Sequence, residues 1–444
     1  MNEPLDTPAP DATPDPPPRS TGGPAWPILV PAGLLQGVLL VCLAWWPGAT
    51  FPLPASALFF VAFALYALAA WRIKDAIGGT VSIWVLAVAM RIALLPATPE
   101  LSGEIYRYLW DGQAQLAGIN PYLHPPASTE MAGLRTPWQA LLEHPDARSV
   151  HPPFAQLLFL AVALAGGAIA QAKLLWLGFD LATAWILGRV ARATGRSRRL
   201  TWLLYLWSPL LLVEVAWNGH MEPVALFAMA VAVLLARAPM GAGVAAGLAA
   251  LVRWPLGFPI PAVSGRLGSR FLGGVVLAGV LATLPYALAG PDVLAGAFTA
   301  LSTPPRLEGL FTLLTAVVPD GPVARGVVVA FVAGAAVWAA AGRFRTERSL
   351  FWTVGAFLLL TPVLNPWYAL WILPMAALRV SLPWLLLTGV VFLGYWNVGA
   401  APGTVVPAVP GTVRLAVWVP VLLLLLRDAD RYWRTRVPLP PVRP

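Results

Sequence analysis

The chain has 444 residues, 58% of them hydrophobic and only 11% charged, with a mean hydropathy of +0.72. Such a composition excludes a soluble domain, and apolar runs of spanning length recur along it, so the chain reads as a polytopic helical membrane protein. The formal net charge of +9 does not point to nucleic acid, because the basic residues cluster in short loops between apolar runs, and the single cysteine, Cys42, excludes an internal disulfide and a cysteine-based metal site.

Residues 1–25, rich in proline, aspartate and threonine, are expected to be a disordered cytoplasmic tail. No cleavable signal peptide fits, since the first apolar run begins near Pro27 with no basic region before it. Runs at 27–46, 54–72 and 79–97 read as three spans. Arg72 and Lys74 place the loop between the second and third in the cytoplasm, so 98–150 emerges outside. That segment carries Glu100, Glu104, Asp111, Glu130, Glu143 and Asp146 against Arg107, Arg135 and Arg148. An acid-rich loop suits the outer face. Counting 154–170 as a span would put Arg189, Arg192, Arg196, Arg198 and Arg199 outside, so it is read as interfacial or re-entrant and 172–191 as the inward span.

Further runs follow at 200–216, 222–237, 240–253, 254–263, 271–289, 323–341, 350–364 and 367–378, with two more before a cytoplasmic basic tail at 428–444. The expected fold is all-α, about 13–14 transmembrane helices in one domain over 26–427, with a long first outer loop (98–170) carrying interfacial helices. No internal repeat is apparent, so the inverted-repeat signature of a transporter is missing.

Inside that loop, Leu101-Ser-Gly-Glu-Ile-Tyr-Arg-Tyr-Leu-Trp-Asp-Gly112 predicts a helix beginning after Ser102 as N-cap. Glu104, Arg107, Tyr108 and Asp111 fall at i, i+3, i+4 and i+7 on one face, and Leu101, Ile105 and Leu109 on the other. The pattern predicts an amphipathic helix resting on the membrane surface. His151, His220, Glu222, Arg253, Asn365 and Tyr368 are placed near the same face. Arg253 is the sharpest anomaly, because a cation between Leu251-Val252 and Trp254-Pro255 costs about 3 kcal/mol unless it meets an anion. A lipid phosphate entering sideways from the outer leaflet would supply one.

These motifs resemble the GT-C superfamily of polytopic glycosyltransferases that use polyprenyl-phosphate sugars, most closely the bacterial polyprenyl-phosphate-mannose-dependent mannosyltransferases. The run from Ser102 through Glu104-Ile-Tyr-Arg-Tyr-Leu-Trp-Asp-Gly112, then Gly118-Ile-Asn-Pro-Tyr122 and Pro152-Pro153, is similar to their first outer loop. Gly219-His-Met-Glu222 is similar to their Gly-His-x-Asp, and Asn365-Pro-Trp-Tyr-Ala-Leu-Trp371 to their Pro-Trp-Tyr segment. The resemblance implies an inverting transfer of a hexose, mannose by this likeness, from a polyprenyl-phosphate donor to a glycan or glycolipid acceptor. The site would lie on the outer face of the inner (plasma) membrane, among membrane lipid. It also implies Glu104 as the base where relatives carry aspartate, with Arg107 and Tyr108 completing an Asp-x-x-Arg-Tyr-like pattern. Glu222 matches a second outer-loop acid, again Glu for Asp, and Arg253 a phosphate-contacting lysine.

The chemistry asks for the same residue types. A carboxylate must take the proton of the acceptor hydroxyl, for which Glu104 is the candidate, and cations must meet the departing phosphate, for which Arg107, Arg253 and His151 are candidates. Trp367 and Tyr368 are placed to stack on a sugar. A divalent ion, magnesium or manganese, shared by Glu222, Asp111 or a histidine is an option that no ligand spacing demands. Asp111 reads more readily as a structural cap or turn group before Gly112, and His151 and His220 read equally as structural hydrogen bonders or ligand contacts. Asp428-Ala-Asp430 imitates the Asp-x-Asp of nucleotide-sugar enzymes, but it sits in a short arginine-rich tail with no domain around it. Two rival activities fit the same residues: a lipid-linked oligosaccharide ligase or polymerase, which would not use Glu104 as base, and a lipid or sugar transporter or flippase.

The arginine distribution generates a topology test. In a Cys42→Ala background, a cysteine at Ser128 is expected to react with an impermeant reagent added outside intact cells, and protection of that site until lysis would reverse the orientation.

Overall fold

The computed structural model describes residues 23–46, 53–74, 76–134, 137–299, 303–396 and 409–436. The expected N-terminal tail, apart from 23–25, and residues 437–444 of the basic tail lie outside these. The rest of that tail is not set apart, since the last helix, Gly411–Arg436, runs straight through 428.

Among the described residues the fold is all-α, with no strand. The chain begins with three helices, Trp26–Ala44 (α1), Leu53–Arg72 (α2) and Thr80–Leu94 (α3). Next come Glu104–Leu116 (α4), Pro153–Leu164 (α5), Ile169–Ala193 (α6), Arg198–Leu206 (α7), Pro209–Trp217 (α8), Glu222–Leu234 (α9) and Pro239–Ala250 (α10). Among the described residues, α1, α2, α6, Ser269–Leu294 and Gly321–Ala341 are long and apolar enough to cross a membrane, and α7 with α8 adds a sixth if that pair, bent by 46°, is one span. This is fewer than the apolar runs of the sequence. Prolines account for part of the difference, since Pro209 breaks 200–216 and Pro255 and Pro259 divide 240–263 into short helices, proline lacking the N–H that a continuous helix requires; Thr80–Leu94, Glu222–Leu234 and Thr346–Leu360 are simply short.

α1 and α2 belong to the same packed core as the rest. Tyr66 of α2 donates to the Leu204 carbonyl at 2.8 Å, Gln36 of α1 donates to the Trp207 carbonyl at 2.7 Å, and Phe59 stacks on Phe392 with centroids 3.9 Å apart. Close helix contact at Trp207 needs Gly33, where an added Cβ would come within 2.6 Å of the indole.

The polar residues gather at two ends. At one, Trp217 donates to the Thr98 carbonyl (2.8 Å), Lys173 donates to the carbonyls of Leu95 and Ala97 (3.1 and 2.6 Å), and Asn218 accepts from the Leu101 N–H (2.9 Å). These bonds bring together the end of α3, the start of α6, the end of α8 and the entry to α4. At the other end, Arg199 donates to the carbonyls of Ala76 and Gly78, so the start of α7 lies beside the α2–α3 loop.

α4 departs from its sequence expectation in two ways. Gly103 is its cap; Ser102 accepts the Glu104 N–H at 3.2 Å, while the Gly103 N–H donates to Glu143 at 2.8 Å. The helix is also not a surface helix, since Ile105 through Gly112 are all buried. α5 covers it, and the closest approach is at Gly112, where a Cβ would stand 2.3 Å from the Phe159 carbonyl oxygen.

Between the ends, Arg91 of α3 is buried against Asp180 of α6 at 2.6 Å and also donates to the carbonyls of Ala87 and Leu206. Removing one partner leaves an unpaired charge in low dielectric, a loss of about 3–5 kcal/mol. Arg91→Leu and Asp180→Leu are therefore each expected to lower the thermal unfolding midpoint of the purified protein sharply. The double substitution should recover most of the loss; no recovery would show that the pair acts through something other than charge compensation.

Candidate active site

Helix start and helix end meet at Arg253. α10 stops at Ala250, the chain turns through Leu251 and Val252, and Pro255 initiates a short 3₁₀ turn at Trp254–Gly257, which leaves Arg253 extended. Its Nε donates to Glu222 Oε1 at 2.8 Å and its Nη2 to Glu104 Oε2 at 3.2 Å and to the Tyr108 hydroxyl at 2.9 Å. Tyr108 in turn donates to Glu104 Oε2 at 2.8 Å. One guanidinium thus joins the first turn of α4 to the first turn of α9, whose N-terminal dipole favours the Glu222 carboxylate there.

Accessibility separates the two acids. The Glu104 side chain is 23% exposed and that of Glu222 is 0% exposed, so of the two carboxylates only Glu104 is open to the surroundings. Burial alone would raise the Glu104 carboxyl, but the Arg253 guanidinium and the Tyr108 hydroxyl outweigh it and hold the group down at about 2. It is ionised at neutral pH. His151 is buried beside Tyr108, ring centroids 5.2 Å apart, and burial depresses it to about 4, so it is neutral there.

Arg107 and Asp111 lie on the same helix but turn away from this cluster. Arg107 Nε donates to Asp111 Oδ1 at 2.8 Å and its Nη1 to the Ala147 carbonyl at 2.9 Å. Asp111 Oδ2 accepts from Ser149 and from Gln156, the latter at 2.8 Å. Each residue on α4 advances about 100°, so the i+3 and i+7 positions drift from the line of Glu104 and Tyr108 and meet α5 and the 147–149 segment instead. This network fixes α4 in place. The structure therefore gives Asp111 a structural setting and leaves Arg253 as the cation beside Glu104.

Behind Glu222 lies a second layer. His220 Nδ1 is 3.7 Å from Glu222 and its Nε2 is 3.8 Å from Glu214; both nitrogens and Glu222 Oε2 are buried without a hydrogen bond. Trp367 packs on His220 with centroids 4.3 Å apart, and Tyr368 stacks on Trp371 at 4.3 Å, so both rings are already engaged by neighbours. Glu214 is held by the Tyr395 hydroxyl at 2.7 and 2.9 Å and sits on a π-helical turn, Leu212–Trp217. Sequence reasoning passed over it. The available signal was a lone acid inside the apolar run 209–217, whereas Ser149, Gln156 and Tyr395 carried none.

The donor set does not suit a shared divalent ion. Asp111 is saturated by Arg107, Ser149 and Gln156, Arg253 occupies Glu222 Oε1, and the two nitrogens of His220 point apart toward different carboxylates. Among the described residues no group of three or more acidic, histidine or cysteine side chains is placed to hold a metal.

Comparison with known proteins gives one match, to the family model described as glycosyltransferase family 87, over residues 150–362, just under half of the chain. No curated protein and no solved structure matches. The matched region contains His151, His220, Glu222 and Arg253; Glu104, Arg107, Tyr108 and Asp111 precede it, and Trp367 and Tyr368 follow it. Residues 150–362 are thus similar to glycosyltransferase family 87, a family of GT-C type; the match supports a glycosyltransferase, and several apolar helices mark a multi-pass membrane protein.

Proposed function

We propose that the chain transfers a hexose, mannose by its resemblance, from a polyprenyl-phosphate donor to a glycan or glycolipid acceptor on the outer face of the inner (plasma) membrane, with inversion at the anomeric carbon. The observation that carries this reading is the placement of an accessible carboxylate, Glu104, one hydrogen bond away from a buried guanidinium, Arg253, at the end of an apolar helix hairpin. In the proposed step, the acceptor oxygen bonds to C1 of the sugar as the bond from C1 to the phosphate oxygen breaks. The electron pair leaves with the polyprenyl phosphate, and the acceptor proton passes to Glu104.

The same geometry supports a coupling between donor binding and base strength. A carboxylate near 2 is charged but a weak proton acceptor, because Arg253 and Tyr108 stabilise its anion. A lipid phosphate that draws Arg253 toward itself weakens the hold on Glu104 and raises its basicity. Glu222, sealed beneath, keeps the guanidinium anchored through Nε while Nη2 turns to the phosphate. Tyr108 steers Glu104, and Arg107 and Asp111 hold the helix that carries it.

Two outcomes test the reading. With polyprenyl-phosphate sugars supplied as a panel and products identified by mass, Glu104→Gln is expected to retain donor binding and lose about 10²-fold or more in turnover, with Glu104→Asp partly active. Wild-type turnover in folded Glu104→Gln would remove it as the base. For the pH dependence, the free-enzyme carboxylate sits near 2 and His151 near 4, and both are depressed, so neither changes protonation between about pH 5 and 8. kcat/KM should therefore show no acid limb from these groups in that range, and a limb near pH 6 that disappears in His151→Gln would overturn the assignment.

A further inference from the structure

At the end of the bundle opposite Glu104, the turn between α6 and α7 and the turn after helix Leu373–Arg379 enclose a cleft of about 310 Å³. Arg196, Ser197, Thr201 and Arg379 form its polar wall, and Leu200 and Leu378 its apolar one. Three features of this wall are not explained by packing. Arg196 Nη1 is buried and has no hydrogen-bond partner. Arg379 feels the positive charges of Arg196 and Arg348, while the carboxylate that opposes them, Glu347, is already paired with Arg345 at 3.0 Å. Val380, which also lines the cleft, is a β-branched residue held at φ +53° and ψ +49°, a left-handed conformation that such side chains avoid.

The strained turn has a visible effect. It ends the helix at Arg379, and the chain is then tied back by the Ser381 N–H donating to the Ala376 carbonyl at 3.0 Å, with the Arg379 guanidinium over the Phe351 ring at 4.8 Å. Other arginines at this end also lie over aromatic rings, but outside the cleft. Arg72, Arg189 and Arg198 lie over Trp71, Trp185 and Trp202 at 4.8, 4.9 and 4.5 Å. Two like-charged guanidinium groups face one cleft, the exposed Arg379 and Arg196 with its unmatched buried donor, an arrangement that an anion seated between them would neutralise.

We propose that this cleft binds a phosphate group, with Arg196 and Arg379 as its two clamps. Guanidinium forks match phosphate oxygens in pairs, and a basic cleft between helices at an arginine-rich membrane face is suited to a phospholipid headgroup from the adjoining leaflet. The Ser197 hydroxyl, which caps α7 by accepting the Leu200 N–H at 3.3 Å, keeps its own O–H to donate, and the positive end of α7 adds to the field. The same phosphate chemistry is presented by a headgroup or by a free phosphate ion. This site is separate from the transfer chemistry, since α7 and α8 run from the cleft at one end to His220 at the other.

The test uses the purified full-length chain in detergent with two probes, phosphatidylglycerol followed by native mass spectrometry and inorganic phosphate followed by the thermal unfolding midpoint. Wild type is compared with Arg196→Gln/Arg379→Gln and with Arg189→Gln, an arginine outside the cleft. The double variant is expected to bind the effective probe about tenfold more weakly or worse, and Arg189→Gln as wild type does. Binding of phosphatidylglycerol that inorganic phosphate does not displace identifies a lipid headgroup; binding or competition by inorganic phosphate identifies the free ion. Should the double variant not fold, Arg196→Lys and Arg379→Lys keep the charge without the fork and are expected to be intermediate. Equal binding of both probes by wild type and the folded variants, or no binding by wild type, overturns the proposal.

Discussion

A guanidinium held between two carboxylates in apolar surroundings is the constraint on which the site depends. Arg253 costs too much free energy to bury alone at the end of a short apolar helix, and Glu222 alone would face the same difficulty. Their pairing through Nε compensates both, and the second arm of the guanidinium reaches Tyr108 and Glu104 on a different segment of chain. Three helices, α4, α9 and α10, are thereby locked at one end. The cluster is not fully satisfied, because Glu222 Oε2 and both nitrogens of His220 have no hydrogen bond. Buried polar atoms left in that state are costly until water or a bound polar group meets them.

α4 divides its polar residues between two tasks. Glu104 and Tyr108, one turn apart, address Arg253, whereas Arg107 and Asp111, also one turn apart, bind Ser149, Gln156 and the backbone at Ala147. The second set gives the first its precision. In the proposed mechanism a carboxylate must meet an acceptor oxygen within hydrogen-bond reach, and the Asp111 network, together with the close contact at Gly112, keeps the helix that carries Glu104 from shifting. The glycosyltransferase match begins only at residue 150, so the part of the site it contains is Arg253 with Glu222, His151 and His220, and α4 completes the site from outside that region.

The two ends of the bundle treat arginine differently. At the Glu104 end Arg253 and Arg107 are both paired with acids and fixed; at the other, several lie on aromatic rings or face a cleft without a paired acid. Buried ion pairs such as Arg91 with Asp180 lie between, where neither water nor headgroups can satisfy a charge. The distribution follows from solvation: a charge in the apolar middle needs a partner from the protein, while one at a membrane surface can take its partner from the solvent or lipid.

The sequence by itself determined the class of the protein and picked out most of the polar residues that the fold later brings together. Composition and apolar run length require a helical membrane protein, the runs mark the helices to within a few residues, and Arg253 announces itself as a cation that must find an anion. Local pattern also placed Glu104 and Tyr108 on one helix. What only the tertiary structure decided is which polar groups share a partner. Helical periodicity puts Glu104, Arg107, Tyr108 and Asp111 on one broad face, but it cannot say that this face is buried and split between two neighbours, because that depends on α5 closing over Gly112 and on Arg253 arriving from 149 positions further along the chain. Nor could the sequence assign Ser149, Gln156 or Tyr395, polar side chains common in any loop or helix, whose meaning comes entirely from the buried carboxylates they satisfy. Hydrophobic pattern is a local property and is legible residue by residue; charge compensation is a property of pairs distant in sequence, and only the packed helices determine which pairs form.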